Sequence, residues 1–167
     1  MKINTTRFGE VGVDESRIIR MKGGILGFEH LKKYIVLVHN EKTPFLWFQS
    51  VDDGTIAFVI INPQFIRADY EPLINDEEVG RLEIGDAQDV VLMAIVTIRP
   101  TPFMVTANLR APIVINAKQR LAAQVVLDDQ ELPIQYDITD KKQRAAGSLA
   151  DDFATEKISS LSYALSP

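Results

Sequence analysis

The chain has no cysteine, and this absence excludes several kinds of chemistry. Without a thiol there is no disulfide framework, no thiolate metal site and no cysteine nucleophile. Histidine is almost as scarce, since only His30 and His39 occur and they have no metal-ligand spacing such as HExxH. The chain also has no phosphate-binding glycine loop and no GxSxG nucleophile motif. We therefore expect a protein that is not an enzyme and that uses no metal, cofactor or small-molecule substrate.

Long apolar runs are missing as well. The longest, residues 90–98, contains Thr97 and is far shorter than the roughly 20 residues that a membrane-spanning helix needs. The first residues, MKINTTR, have none of the apolar core of a secretory signal. These features predict a cytoplasmic protein with no membrane partner.

Positive charge is in deficit, with 18 Lys and Arg against 23 Asp and Glu and a net charge of −5. This balance opposes direct binding of nucleic acid and favours a basic protein or a neutral ligand. Acidic residues concentrate in residues 71–89, where Arg81 is the only positive charge. The run is either a solvated face around a short helix capped by Asp76 or a surface for a basic partner.

Strand-forming segments are what the chain does contain. Residues 45–51 and 56–61 flank the sequence Asp52-Asp53-Gly54, which is typical of a hairpin turn. Both segments are apolar at almost every position, and this indicates strands covered on both faces or a barrel wall with a partner outside.

Similar segments recur along the chain and predict an all-β fold, a small antiparallel β-barrel or barrel-like sandwich with one short helix. Residues 9–12 are predicted to form a turn, and the glycine-rich residues 23–27 a structured loop that leaves Ile25, Leu26 and Phe28 available for burial. We expect residues 1–138 to form a single domain. Residues 139–167 form a tail that is weakly helical or mobile, with Leu149, Phe153 and residues 155–163 as its helical candidates. The predicted strands are residues 3–8, 16–21, 34–39, 45–51, 56–61, 90–99, 103–109, 112–116, 121–127 and 132–138.

Several linked motifs resemble the FliW family of flagellar assembly factors. They are GILGFE at residues 24–29, FLWFQSVDD at 45–53, AF and NP at 57–58 and 62–63, TANLRAPIVIN at 106–116, and QVVL at 124–127. The resemblance extends from about Ile3 to Ile138. The family motif positions singled out here are Gly27, Phe28, Glu29, Gln49, Asn108, Pro112 and Asn116.

The resemblance implies a non-enzymatic chaperone and regulator with two protein partners. Members of this family bind flagellin in the cytoplasm and also bind the translational regulator CsrA, which relieves repression of flagellin translation. The antagonism is noncompetitive, so the factor docks beside the RNA surface of CsrA. The candidate contacts to CsrA are Asp52, Asp53, Glu71, Glu77 and Glu78. The candidate contacts to flagellin are Phe45, Trp47, Phe103 and Met104.

Each candidate also has a purely structural interpretation. Trp47 and its apolar neighbours could be core residues, since aromatic side chains dominate both cores and interfaces. Asn108, Pro112 and Asn116 could set turns. Gln49, which lies in an apolar strand, is either hydrogen-bonded internally or available to a partner's backbone.

Two other functions remain open from the residues alone. A nucleic-acid-binding β-barrel would need a basic stripe with interleaved aromatic residues. A carbohydrate-binding module or enzyme would need a deep pocket in which carboxylates converge near Trp47.

Overall fold

The computed structural model of the protein describes residues 1–139 and 162–164. These residues contain twelve β-strands and a short helix, α1 (Asp76–Arg81). Turns of 3-10 helix occupy Glu15–Arg17, Pro63–Phe65 and Ala87–Asp89. The strands are β1 (Lys2–Thr5), β2 (Gly9–Gly12), β3 (Ile19–Met21), β4 (Lys33–Val38), β5 (Leu46–Ser50), β6 (Ala57–Ile61), β7 (Val90–Pro100), β8 (Phe103–Ala107), β9 (Ile113–Asn116), β10 (Leu121–Gln124), β11 (Tyr136–Asp137) and β12 (Ser162–Ala164).

Seven of the strands close into a barrel. Their order is β7, β6, β5, β4, β3, β10 and β9, and β9 pairs back onto β7. The long strand β7 makes this closure possible, because its start pairs with β9 while its later residues pair with β6 and β8. The predicted all-β barrel with a short helix is confirmed. Among the seven barrel strands one pair departs from the antiparallel pattern, since β3 and β10 run parallel.

The barrel interior is filled by one layer of apolar side chains from every strand. The rings of Tyr34 and Phe48 stack at its centre with centroids 4.4 Å apart and an interplanar angle of 2°. Such an aromatic pair contributes about 0.5–1.5 kcal/mol beyond the area it buries. The other buried side chains of this cluster include Ile19, Val36, Ile60, Met93, Ile113 and Ala122.

The outer face of β4 and β5 is covered by the β1–β2 hairpin. Val11 and Val13 from this hairpin pack on Ile35 and Leu37, which are fully buried. This cover explains why the two strands are apolar on both faces, and it comes from the chain itself. The hairpin also contacts the turn between β5 and β6, where the Thr6 N–H donates to the Gly54 carbonyl at 3.1 Å.

The opposite side of the barrel carries a second outer cluster. The β7–β8 hairpin, β11 and the segment between β6 and β7 pack there over β9 and β10. Tyr70 ties this layer together, since its hydroxyl donates to the Leu109 carbonyl at 2.7 Å. Burial raises the pKa of Tyr70 well above its ordinary value, so this donor stays protonated.

Three local predictions near the N-terminus and at α1 are wrong. Residues 9–12 form strand β2 and not a turn, because the Thr5 hydroxyl closes the turn earlier by donating to Gly9 O and accepting from Phe8 N. Residues 16–21 are not one strand, since the Asp14 carboxylate accepts from Ser16 and starts a 3-10 turn there. The helix α1 is capped by Asn75, whose side chain accepts from Glu78 N, so Asp76 is its first residue.

The predicted tail lies mostly outside the described residues, including Leu149 and Phe153. Its described part, Ser162–Ala164, is strand β12, which runs parallel to β4 and pairs with Val36–Val38. The helical prediction is therefore wrong for residues 162–163. In residues 1–139 and 162–164, no helix has the length and apolarity needed to cross a bilayer.

Candidate partner-binding surfaces

Trp47 lies in an open apolar cleft on the outside of the barrel. Its ring packs edge-on against Phe8 with centroids 5.4 Å apart, and the Arg7 guanidinium lies 4.8 Å from the ring centre. The ring is half-buried, so part of it remains accessible. The cleft has a volume of about 330 Å³ and is lined by His39, Asn40, Thr43, Phe45, Trp47, Val59 and Ile98.

This cleft continues onto the β7–β8 hairpin. Ile98 is 43% exposed and pairs with Val105, and Phe103 lies two residues from Val105 on the same face. Phe103 is therefore the diagonal neighbour of Ile98, a separation that aromatic side chains bridge. Phe103 is itself 47% exposed. We call the surface formed by Phe45, Trp47, Val59, Ile98 and Phe103 the outer apolar strip.

The structure brings three of the four predicted apolar residues to this strip. Met104 differs, because it alternates with Phe103 along β8 and therefore points to the other face of the hairpin. Val59 and Ile98 were not singled out from the sequence. The register of the predicted hairpin could have identified Val59, which pairs with Trp47 across β5 and β6. Ile98 required the long-range pairing of β6 with β7.

The five acidic candidates lie on three separate elements and have different roles. Asp52 anchors the barrel end, because its Oδ2 accepts from Lys32 N at 2.7 Å and from Lys33 N at 2.9 Å. Asp53 closes the hairpin turn through hydrogen bonds from the Thr55 side chain and backbone, which hold the pKa of Asp53 below its ordinary value. These two carboxylates therefore stabilise the turn itself.

The remaining three carboxylates lie before and within α1. Glu78 forms an ion pair with Arg81 one turn later at 2.6 Å. Glu71 and Glu77 are exposed, and their side chains make no hydrogen bond or ion pair with other described residues. They are the members of the set whose charge is fully available to a partner.

The glycine loop before β4 is ordered by its backbone and by β10. Gly24 has a φ of +73°, and a Cβ there would lie 2.6 Å from the Glu29 Cα, so only glycine fits. The Leu26 N–H donates to the Gln124 side chain at 2.9 Å. The loop buries Ile25, leaves Phe28 half-buried and exposes Leu26, so the predicted burial is wrong for Leu26.

Two further motif positions in this loop, Glu29 and Phe28, make contacts within the fold. The Glu29 carboxylate accepts from Gly27 N at 3.1 Å, and this hydrogen bond lowers the pKa of Glu29. Phe28 packs edge-on against Phe58 with ring centroids 5.1 Å apart.

Asn108 and Asn116 set turns. The Asn108 Oδ1 accepts from Arg110 N and Ala111 N, which places the buried Pro112 at the start of β9. Asn116 is buried and links three elements. Its Nδ2 donates to the carbonyls of Leu82 and Glu83 after α1, and its Oδ1 accepts from the backbone of the β9–β10 turn. The structural interpretation accounts for all these contacts.

Gln49 is fully buried, with its amide directed into the β5–β6 turn. Its Nε2 donates to the carbonyls of Ser50 and Ile56 at 3.0 Å. Its Oε1 has no hydrogen-bond partner among the described residues. The donor side of Gln49 is therefore satisfied internally, and a partner cannot reach this residue without opening the turn.

The sequence alone left open a site in which carboxylates converge near Trp47. The lining of the cleft around Trp47 within the described chain contains no carboxylate. Four of its seven lining residues, Phe45, Trp47, Val59 and Ile98, are apolar.

Comparison with known proteins gives a consistent result. The model of the family described as "FliW protein" matches residues 2–138. A relative from Syntrophus aciditrophicus, named "Flagellar assembly factor FliW", is 54% identical over 147 residues, covering 88% of this chain and 93% of the relative. A protein of the same name from Geobacter sulfurreducens is 38% identical over 145 residues, covering 87% and 91%. A crystal structure of the flagellar assembly factor FliW has a TM-score of 0.76 at 36% identity, covering 83% of this chain and 96% of that one.

Proposed function

The chain belongs to the FliW family of flagellar assembly factors, and we propose that it acts in the cytoplasm, without catalysis, as a regulator that binds flagellin and CsrA. In this proposal the free protein captures CsrA and relieves its repression of flagellin translation. Flagellin that accumulates in the cytoplasm binds the factor and returns CsrA to its message. The output is homeostatic control of flagellin.

The outer apolar strip is the observation that best supports flagellin binding. Its members are half-buried or exposed on a rigid barrel wall, with Trp47 at the centre between Phe8 and Arg7. The terminal segments of flagellin are amphipathic helices, and such a helix binds by placing its apolar face in a hydrophobic groove. Aromatic residues with partly exposed faces are common anchors in interfaces of this kind.

The acidic segment before and within α1 supports binding of a basic partner. Glu71 and Glu77 keep available charge, whereas Asp52 and Asp53 are engaged in the β5–β6 turn. CsrA-type regulators are small basic dimers, so these carboxylates would speed their association through electrostatic steering. The same negative potential, held next to the RNA surface of CsrA, would repel incoming phosphates within about one Debye length, roughly 8 Å at physiological salt. This would add repulsion to steric occlusion.

A competition experiment tests the proposal. The purified chain is titrated with CsrA from the same organism by calorimetry, first alone and then with increasing flagellin. We expect CsrA to bind alone and its apparent affinity to fall as flagellin is added. Simultaneous binding of both partners would refute the partner switch, and binding of neither would refute the proposed function.

A control variant distinguishes the two surfaces. Glu77→Lys should weaken CsrA binding and reduce its dependence on salt, while flagellin binding stays unchanged. Glu15→Lys reverses an exposed charge in the 3-10 turn before β3 and should leave both affinities near those of the wild type. Equal effects of the two variants would contradict the placement of CsrA near α1.

A further inference from the structure

A second groove lies outside the barrel, away from Trp47. It has a volume of about 580 Å³ and separates two extended segments, residues 71–75 and residues 125–129. Five residues of extended chain span about 16 Å, which is the length of a short strand. Neither segment belongs to a strand of the sheet.

The two walls of the groove expose apolar side chains. Leu73 is 94% exposed, and Val126 is 59% exposed although Val125 and Leu127 on either side of it are buried. Val125, Leu127 and Leu132 are buried and form the base beneath them. An almost fully exposed leucine facing a second exposed aliphatic residue across a groove is typical of an interaction surface.

One wall also has an open backbone edge. The N–H groups of Val125 and Leu127 donate to the carbonyls of Pro112 and Arg110 at 2.9 and 2.8 Å. Since successive N–H groups of an extended chain point to opposite edges, the Val126 N–H points away from residues 110–112. It makes no hydrogen bond within the described residues. This edge can therefore accept an added strand.

The rim of the groove carries charge of one sign. Glu71, Asp128 and Asp129 line it, and no Lys or Arg is among its lining residues in the described chain. The Asp129 Oδ1 accepts from Glu131 N, whereas the side chains of Glu71 and Asp128 are unpaired within the described residues. A segment that fits this rim must be basic.

We propose that the groove between residues 71–75 and residues 125–129 binds an extended segment of a partner protein that carries basic and apolar residues on the same face. The segment pairs its backbone with the Val126 edge and covers Leu73 and Val126 with its apolar side chains. Its Lys or Arg side chains lie against Glu71 and Asp128. Both kinds of residue must lie on one face, because residues two apart in an extended chain point the same way, as Glu71 and Leu73 do on one wall and Val126 and Asp128 do on the other. The inference deepens the proposed function, and rests on it in taking the partner to be a basic protein.

Two probes test this inference separately from the proposed function. One is purified CsrA, and the other is a fluorophore-labelled synthetic peptide in which lysine and valine take turns at every second position, with serine between them. A peptide of the same sequence with N-methyl groups on alternate residues is the matched control, because it loses the hydrogen-bond donors of one edge. Binding is measured by fluorescence anisotropy for the peptides and by calorimetry for CsrA.

Three variants of the full chain address the three components of the site. Val126→Pro removes the free N–H, Leu73→Ser removes the exposed apolar side chain, and Glu71→Lys reverses a rim charge. We expect each variant to weaken binding at least tenfold, and Glu71→Lys also to reduce the salt dependence. Ile134→Ser, at an exposed residue that does not line the groove, should bind like the wild type. Thermal melting shows whether each variant is folded. Should Val126→Pro unfold, the N-methylated peptide tests the backbone pairing, and Val126→Ala tests the side chain alone.

Hydrogen exchange provides a readout that a change in stability does not reproduce. In the complex with CsrA or with the unmethylated peptide, the amides of residues 71–75 and 125–129 should become protected in the wild-type chain. If CsrA binds and neither the variants nor the exchange respond, the groove inference is wrong while the proposed function stands. If CsrA does not bind, the function is wrong, and the peptide decides the groove on its own. Self-association that is lost in Leu73→Ser would identify a second copy of the chain as the occupant and overturn the inference.

Discussion

Replacing Gly54 with alanine should loosen the β1–β2 hairpin from the barrel. A Cβ at this position would lie 1.8 Å from the Asn4 carbonyl oxygen and 2.9 Å from its carbon, and both are backbone atoms that cannot rotate away. Gly54 does not have a positive φ, so the effect arises from the close approach alone. The hairpin must shift, or the β5–β6 turn must open.

The magnitude follows from what the shift disturbs. Overpacking of this kind typically costs about 1–3 kcal/mol, and loss of the hydrogen bond from Thr6 N to Gly54 O adds about 0.5–1.5 kcal/mol. We therefore expect a loss of about 2–4 kcal/mol in the free energy of unfolding. Complete detachment would expose four buried aliphatic side chains at about 1.5–3 kcal/mol each. That upper limit approaches the whole stability of a domain, about 5–15 kcal/mol.

Urea denaturation followed by tryptophan fluorescence measures this effect, because the single tryptophan lies beside the hairpin. The melting temperature should fall by about 4–16 °C, at about 2–4 °C for each kcal/mol. Gly12→Ala is the matched control, since a Cβ there meets nothing within 4 Å. The reasoning is refuted if the two variants have the same stability within about 0.5 kcal/mol.

Four further predictions follow from single side chains. Asn116→Ala should lower the free energy of unfolding by about 2–4 kcal/mol in urea denaturation, because it leaves buried carbonyls after α1 without donors; a loss below 1 kcal/mol would contradict this role. Trp47→Ala should weaken flagellin binding at least tenfold in calorimetry while the protein still melts cooperatively, and a loss of folding would instead favour a core role. Thr55→Ala should raise the pKa of Asp53 towards its ordinary value in a carbon-13 titration, because the Thr55 side chain and backbone lower it. Since the folded pKa of Asp53 is the lower one, its contribution to stability is present above the unfolded pKa, about 3.9, and is lost as the pH falls through the folded value. The pKa of Tyr34 is raised to about 12 by burial and by Asp52, so absorbance should show it titrating above pH 10, and stability should fall as the pH rises from about 10 towards 12.

Local signals in the sequence were sufficient for the central part of the fold. The turn Asp52-Asp53-Gly54 between two apolar runs correctly predicted β5 and β6. The apolar run at residues 90–98 correctly predicted β7. The prediction failed at Gly9–Gly12, where glycines that are typical of a turn form an exposed strand. There the Thr5 hydroxyl closes the preceding turn, and this contact has no counterpart in the spacing of apolar residues.

Apolar patterning could not reveal what covers the barrel. The apolar positions of β4 and β5 were compatible with either an external partner or another part of the chain. The covering element is the N-terminal hairpin, more than 20 residues away in sequence from Ile35. The contact requires a close approach of the Gly54 backbone to the Asn4 carbonyl. The sequence around neither residue reveals this approach.

Single acidic residues were similarly ambiguous. From sequence, Asp52 and Glu77 are equal members of an acidic set. In the fold, the Asp52 carboxylate accepts two backbone N–H groups while Glu77 remains exposed at the start of α1. The difference arises because Asp52 lies next to the start of β4. Reversing the charge of Glu77 should therefore change partner binding without breaking a hydrogen bond of the fold, whereas reversing that of Asp52 would also destabilise the β5–β6 turn.

The positions of the exposed apolar side chains argue that the outer apolar strip and the groove are surfaces for partners. Isolated exposed hydrophobic residues are ordinary in folded proteins and need no explanation. Here the β1–β2 hairpin and the second outer cluster cover apolar side chains on two sides of the barrel wall. Yet Ile98 and Phe103 are exposed as diagonal neighbours, and Leu73 faces Val126 across the groove. Each pair joins residues from two different strands or segments. The exposure of both members of a pair is therefore not explained by a distortion of one strand or loop. The two pairs lie on different elements and share no contact residues. In the proposed function, flagellin and a basic partner would therefore exclude one another through steric overlap of the bound proteins or through coupling between the sites.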